Sequence, residues 1–220
     1  MIEENFKKIL SELPLEAELV VATKDRSLKE IEEVIRAGAE IIGENYVKEA
    51  KHNFDVIGER VFWHFIGHLQ TNKVKQAVRI FDMIETLDSF ELAKSLDREC
   101  KKLDEVMPVL IEVNSACEPQ KYGVLPQDAR SFLEEIMPFT NLKPVGLMTM
   151  GPFLDDVQEI RPFFRKIKDL FDEIKSIYYV ESLEWRYLSM GMSDSYKIAI
   201  EEGANIVRVG TAIFGPRKHR

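Results

Sequence analysis

Short β-branched runs alternate with longer amphipathic, charged segments along this chain. Apolar runs at 17–23 (AELVVAT), 40–44 (EIIGE), 61–67 (VFWHFIG), 81–86 (FDMIET), 108–114 (PVLIEVN), 144–150 (PVGLMTM), 184–190 (EWRYLSM) and 205–211 (NIVRVGT) read as eight strands. Segments such as 27–38, 89–104 and 155–176 carry apolar residues at helical spacing. Ser27 and Ser89 stand where N-caps belong, each with a Glu in the following turn. Gly38 and Gly203 close helical patterns just before strands, as left-handed C-caps do. Pro162 does not fit the interior of a helix begun at Asp155, so the regular helix is placed from about Pro162, with 155–160 as a separate turn.

Eight strands alternating with helices predict a parallel sheet, and near-continuous apolar strands predict burial on both faces. At this length the natural closure is an α/β fold, a single (β/α)8 TIM barrel. A doubly wound open sheet is the alternative. It usually has a glycine-rich first turn, and ATKDRS (22–27) has no glycine. Too little chain follows the eighth strand for a normal last helix. The helical pattern near residues 3–12 is therefore expected to fill that place in the ring. No linker, repeat or low-complexity run divides the chain, so residues 1–220 read as one domain.

A net charge of −8 makes nonspecific nucleic-acid binding an unsuitable role. No apolar run is long enough to cross a bilayer, and the N-terminus lacks the apolar core of a signal peptide. The 2 cysteines, Cys100 and Cys117, form no disulfide framework. A cytoplasmic setting follows, with no membrane partner, and the acidic surface favours a monomer.

Functional groups of such barrels gather where strands end. Those ends carry Thr23-Lys24, Glu44-Asn45, Gly67-His68, Asn114, Met148-Thr149, Ser189-Met190-Gly191 and Gly210-Thr211, with His64 and Arg208 inside strands. Lys24 follows LVVA. A lysine amine held in a low-dielectric mouth is readily deprotonated and forms a Schiff base with a carbonyl compound; the alternative is a lysine that merely opens a solvated loop. Ser193, after Gly191, reads as the N-cap of the helix KIAIEEG. There it either caps only, or joins a phosphate cradle with the backbone and hydroxyl of Gly210-Thr211. Asp194 must then point away. Arg208 either binds a ligand or meets a carboxylate. Asn45 is a helix cap or a site residue, and His64 an interior imidazole or a site residue. The 4 histidines lack metal-site spacing, no G-x-S-x-G occurs, and Cys117 has no adjacent base, so neither a metal nor a Ser or Cys nucleophile is expected.

The strings VATKDRS, IIGENYVKEA, WHFIGHLQTNK, LIEVN, GLMTM, YLSMGMSDS and VRVGTAIFG stand in the order seen in the pyridoxal 5′-phosphate (PLP) homeostasis protein family, which the chain resembles from about residue 19 to 215. The resemblance implies a barrel similar to the N-terminal domain of alanine racemase, with Lys24 as the Schiff-base lysine. It implies Ser193, Gly210 and Thr211 as the phosphate grip and Arg208 at the pyridine nitrogen. Asn45 and His64 would lie beside the ring, Met148 in the pocket wall and Lys121 near the mouth. Thr23 stands where the family often has Ser, and Cys117 where it commonly has Gly. The implied function is holding PLP for vitamin B6 homeostasis and delivery to apoenzymes, without vigorous catalysis. An arginine at the ring nitrogen stays cationic and can only donate to it, so the nitrogen is left without the proton that strengthens the electron sink. A slow amino-acid racemase and a cofactor-free Schiff-base aldolase are the alternatives.

Overall fold

The computed structural model describes residues 1–178 and 184–216. Eight strands form a closed barrel in chain order: β1 (Glu18–Ala22), β2 (Ile41–Glu44), β3 (Phe62–Phe65), β4 (Met83–Leu87), β5 (Met107–Glu112), β6 (Leu142–Met148), β7 (Tyr187–Ser189) and β8 (Ile206–Val209). All pairings are parallel, and β1 closes the ring on β8 with Val20 opposite Arg208. Every predicted run overlaps its strand; β4 runs one residue beyond its predicted end at Leu87, and β5 and β6 begin earlier than predicted, at Met107 and Leu142. The helices are α1 (Ile2–Glu12), α2 (Leu28–Arg36), α3 (Val47–Ile57), α4 (Val74–Ala77), α5 (Phe90–Lys101), α6 (Ala129–Ile136), α7 (Arg161–Ile177), α8 (Tyr196–Glu201) and α9 (Thr211–Phe214).

The alternation of strand side chains explains the unbroken apolar runs. Val21, Ile42, Phe65 and Val209 face the helices, whereas Val20, Met83, Leu110, Met148 and Ile206 fill the barrel interior. Two register irregularities adjust that alternation, one in β4 between Ile84 and Leu87 and one between β5 and β6 at Val109/Leu110. Glu85 points inward by simple alternation with Met83 and the outward Ile84, and the irregularity then brings Leu87 to the outer face.

Helix punctuation follows the sequence. Ser27 forms a reciprocal capping box with Glu30, and Gly38 and Gly203 have φ of +109° and +91°. A 3-10 turn covers 157–160, and α7 then starts with Pro162 in its first turn. Ser89 holds the N-cap position of α5 without a side-chain cap bond. The N-terminal helix does fill the gap in the ring: Phe6 and Ile9 are buried, α1 packs on α2 and α9, and Asn5 Nδ2 donates to Ile213 O at 3.0 Å. Among the described residues no helix is long and apolar enough to cross a membrane.

Candidate functional site

The seam between β1 and β8 brings the two ends of the chain to one mouth. Lys24 lies in the turn that leaves β1, half-buried, its Nζ 5.0 Å from the centroid of the Tyr46 ring. Among the described residues that amine makes no hydrogen bond and no ion pair. Asp25, the next residue, takes φ of +59° and bends the chain toward α2. Across the seam, a Cβ on Gly210 would come within 3.0 Å of Ala22 O, so glycine lets the β8 exit lie against the strand that delivers Lys24.

Ser193 is not the cap predicted from the sequence. The backbone turns at 192–195, with Ser195 N and Tyr196 N both donating to Met192 O, and Ser195 becomes the N-cap of α8. Ser193 Oγ is thereby free to reach the next loop, where it accepts from Gly210 N at 3.4 Å and Ala212 N at 3.1 Å. Two strand exits thus converge through one hydroxyl and backbone N–H groups, beside the exposed Thr211. Asp194 is exposed, consistent with its pointing away.

Arg208 points into the barrel and is buried. Of the two outcomes open for it, the carboxylate is found: Glu85 Oε2 lies 3.7 Å from Nη1. Ser189 Oγ donates to Glu85 and accepts from Arg208 Nη1, while Nη2 donates to Thr149 O at 2.8 Å. His64 Nδ1 lies 2.8 Å from Glu85 Oε1. Burial alone would raise the Glu85 pKa, but the His64 bond, the His64 and Arg208 charges and the Ser189 bond outweigh it and hold it below the ordinary value. Because that carboxylate accepts, His64 carries a proton on Nδ1. Burial lowers the Arg208 pKa, opposed by Glu85 and Glu112.

A second buried carboxyl sits outside the barrel wall. Glu44 Oε1 accepts from Thr23 Oγ1 at 2.8 Å and from Asn53 Nδ2 of α3 at 3.0 Å, whereas Oε2 is buried without a partner. Burial pushes this carboxyl up to about 7 against the two hydrogen bonds, with Glu49 and Asp25 adding repulsion. The bond to Thr23 fixes the residue that precedes Lys24.

The remaining candidates surround the same end of the barrel. Asn45 is not a cap, since Tyr46 holds the N-cap of α3; its backbone packs so closely on Gly67 that a Cβ there would meet Asn45 O at 2.4 Å. Met148 is fully buried inside the barrel. Lys121 is bound by Gly151 O at 2.9 Å and Glu118 Oε2 at 2.5 Å, over the Phe153 ring. Cys117 takes φ of +55°, a left-handed conformation that glycine adopts without strain. Sequence reasoning missed Glu85 and assigned Glu112 no role. The signal was a carboxylate inside an apolar strand run, which requires a partner.

The family model described as alanine racemase, N-terminal domain, matches residues 1–218, so the barrel is of the alanine racemase N-terminal type. The pyridoxal phosphate homeostasis protein of Aquifex aeolicus (strain VF5) is 40% identical over 204 residues, covering 92% of this chain and 88% of that protein. That of Haemophilus influenzae is 33% identical over 204 residues, covering 91% and 85%. The structure of PipY from Synechococcus elongatus PCC7942 with PLP bound superposes with a TM-score of 0.90 at 31% identity, covering 98% of this chain and 100% of that one. This chain belongs to the pyridoxal phosphate homeostasis protein family.

Proposed function

We propose that residues 1–220 act as one domain that holds PLP through Lys24, serving intracellular vitamin B6 balance by storing the cofactor in the cytoplasm and passing it to apoenzymes, as a monomer. The observation that carries this reading is the Lys24 amine, held over the Tyr46 ring without a hydrogen bond or ion pair among the described residues, at the same seam as the N–H groups gathered on Ser193. The donor set fits the cofactor: a primary amine, a neutral hydroxyl with backbone N–H groups for an anionic tail, and a buried guanidinium. When bound, PLP supplies an aldehyde with which a primary amine forms an imine. Lys24 provides that amine, and Ser193, Gly210 and Thr211 hold the phosphate. Arg208, locked by Ser189, Thr149 O and Glu85, offers only donors and remains cationic, so a ring nitrogen facing it would accept a hydrogen bond and stay unprotonated. His64, Asn45 and Met148 shape the pocket beside it. Relatives named for PLP homeostasis support the carrier role.

The test is the absorbance spectrum of the protein with added PLP, followed by borohydride reduction and mass analysis. The expected result is a visible band that reduction abolishes, with the added mass on Lys24. The Lys24→Ala variant should lose both the band and the added mass while retaining weak binding through the phosphate grip. A full visible band in Lys24→Ala overturns the reading.

A further inference from the structure

Inside the barrel mouth, most charged groups are already matched. Glu85 is held by His64, Ser189 and Arg208. Lys121 is held by Glu118 and Gly151 O, and Asp88 pairs with His68 at 3.4 Å. Glu112 is different. It ends β5 and alternates with the outward Ile111 and Val113, so its side chain points inward. It is 8% exposed, and among the described residues its carboxylate makes no hydrogen bond and no ion pair. It lines a cavity of about 180 Å³ together with Asn114, Lys121, Thr149, Met150 and Phe153. A nearly buried carboxyl without donors, opening on a small cavity, is costly to ionise unless a cation enters to meet it, and otherwise keeps its proton.

We propose that Glu112 is a primary-amine subsite, whose carboxylate binds the ammonium head of a small amine or amino acid and takes its proton. The proposal rests on the reading of Lys24 as the holder of an aldehyde. An amine that competes with Lys24 for that aldehyde arrives as R–NH3+ and must first become R–NH2. The step is a single proton transfer, R–NH3+ plus Glu112 carboxylate giving R–NH2 plus Glu112 carboxylic acid, with no change of oxidation state. Burial, with repulsion from Asp88 and opposition from Arg208, pushes the Glu112 carboxyl up to about 7. The charged groups facing it are Asp88 at the β4 exit, Arg208 from β8, and the Lys121–Glu118 pair of the loop after β5. A base tuned to that range both accepts a proton from an ammonium and returns it near neutral pH.

The probe is methylammonium, titrated by calorimetry into the full chain without PLP at pH 8, against a sodium chloride control. Glu112→Gln keeps the shape and removes the charge, and its thermal midpoint should not fall. Wild type should give saturable binding, and Glu112→Gln binding at least tenfold weaker. Equal isotherms overturn the subsite. In the PLP-loaded protein, methylamine should displace Lys24 faster in wild type than in Glu112→Gln. The ratio of the two rates should rise with pH and level above about 7. A ratio independent of pH also overturns it. If neither protein takes up PLP, the cofactor reading fails, and the methylammonium isotherms still judge Glu112.

Discussion

Arg208 and Glu85 face each other inside the barrel at 3.7 Å, with Ser189 bonded to both. Both are buried, so removing one leaves the other charge unmatched in a low-dielectric interior. Glu85→Leu alone should cost about 3–5 kcal/mol. Combining it with Arg208→Met should cost much less than the sum of the two single changes. Urea unfolding of the four proteins measures the coupling, and additive losses would show that the pair is not coupled.

Ser193 gathers the N–H groups of Gly210 and Ala212 without capping α8. Ser193→Ala should therefore leave α8 intact and weaken PLP binding by about 0.5–1.5 kcal/mol, a loss of a few-fold to about tenfold. Circular dichroism and a fluorescence titration check the two halves of this expectation. Lost helix content with unchanged affinity would move the anion grip elsewhere.

Glu44 makes stability depend on pH with a definite sign. The folded chain keeps its proton up to about pH 7, the unfolded chain only to the ordinary 4.5. The folded state thus binds more protons between those values, and stability falls as pH rises through that window and stays reduced above it. Glu44→Gln removes the effect. It should match wild type near pH 4 and exceed it at pH 8 by about 1–3 kcal/mol, measured by denaturant unfolding at both pH values. Glu112 contributes with the same sign.

Gly67 has no room for a side chain, since its added Cβ would lie 2.4 Å from Asn45 O. Gly67→Ala should push the β2 exit outward, lowering stability by about 1–3 kcal/mol and weakening PLP binding together. Unchanged affinity in a destabilised protein would separate Asn45 from the cofactor pocket.

The barrel was legible because strands covered on both faces are written as continuous apolar runs, as in LVVA and IVRV. Lys24 and Gly210 were legible because a strand's end fixes where its last residues go. The partners of Arg208 were not. Glu85 and Ser189 are 104 positions apart, and nothing local in MIETL or YLS says that their side chains meet across the interior. Ser193 was misplaced for a local reason. In SMGMSDS two serines compete for the cap, and the turn at 192–195, set by tertiary contact, gives it to Ser195. Glu44 faces outward by alternation with Ile42, but nothing local in EIIGE names its partner, Asn53 of α3.

The bond from Asn5 to Ile213 joins residues 208 positions apart. During synthesis α1 can meet α2 early, but its contact with α9 and the β1–β8 seam must await residues beyond 200. Lys24 and Gly210 share that late-closing join, so a nascent or unzipped chain owns the amine but not the anchor beside it. If both groups hold the cofactor as proposed, tight capture would be reserved for chains whose seam has closed, and its uptake would time that closure.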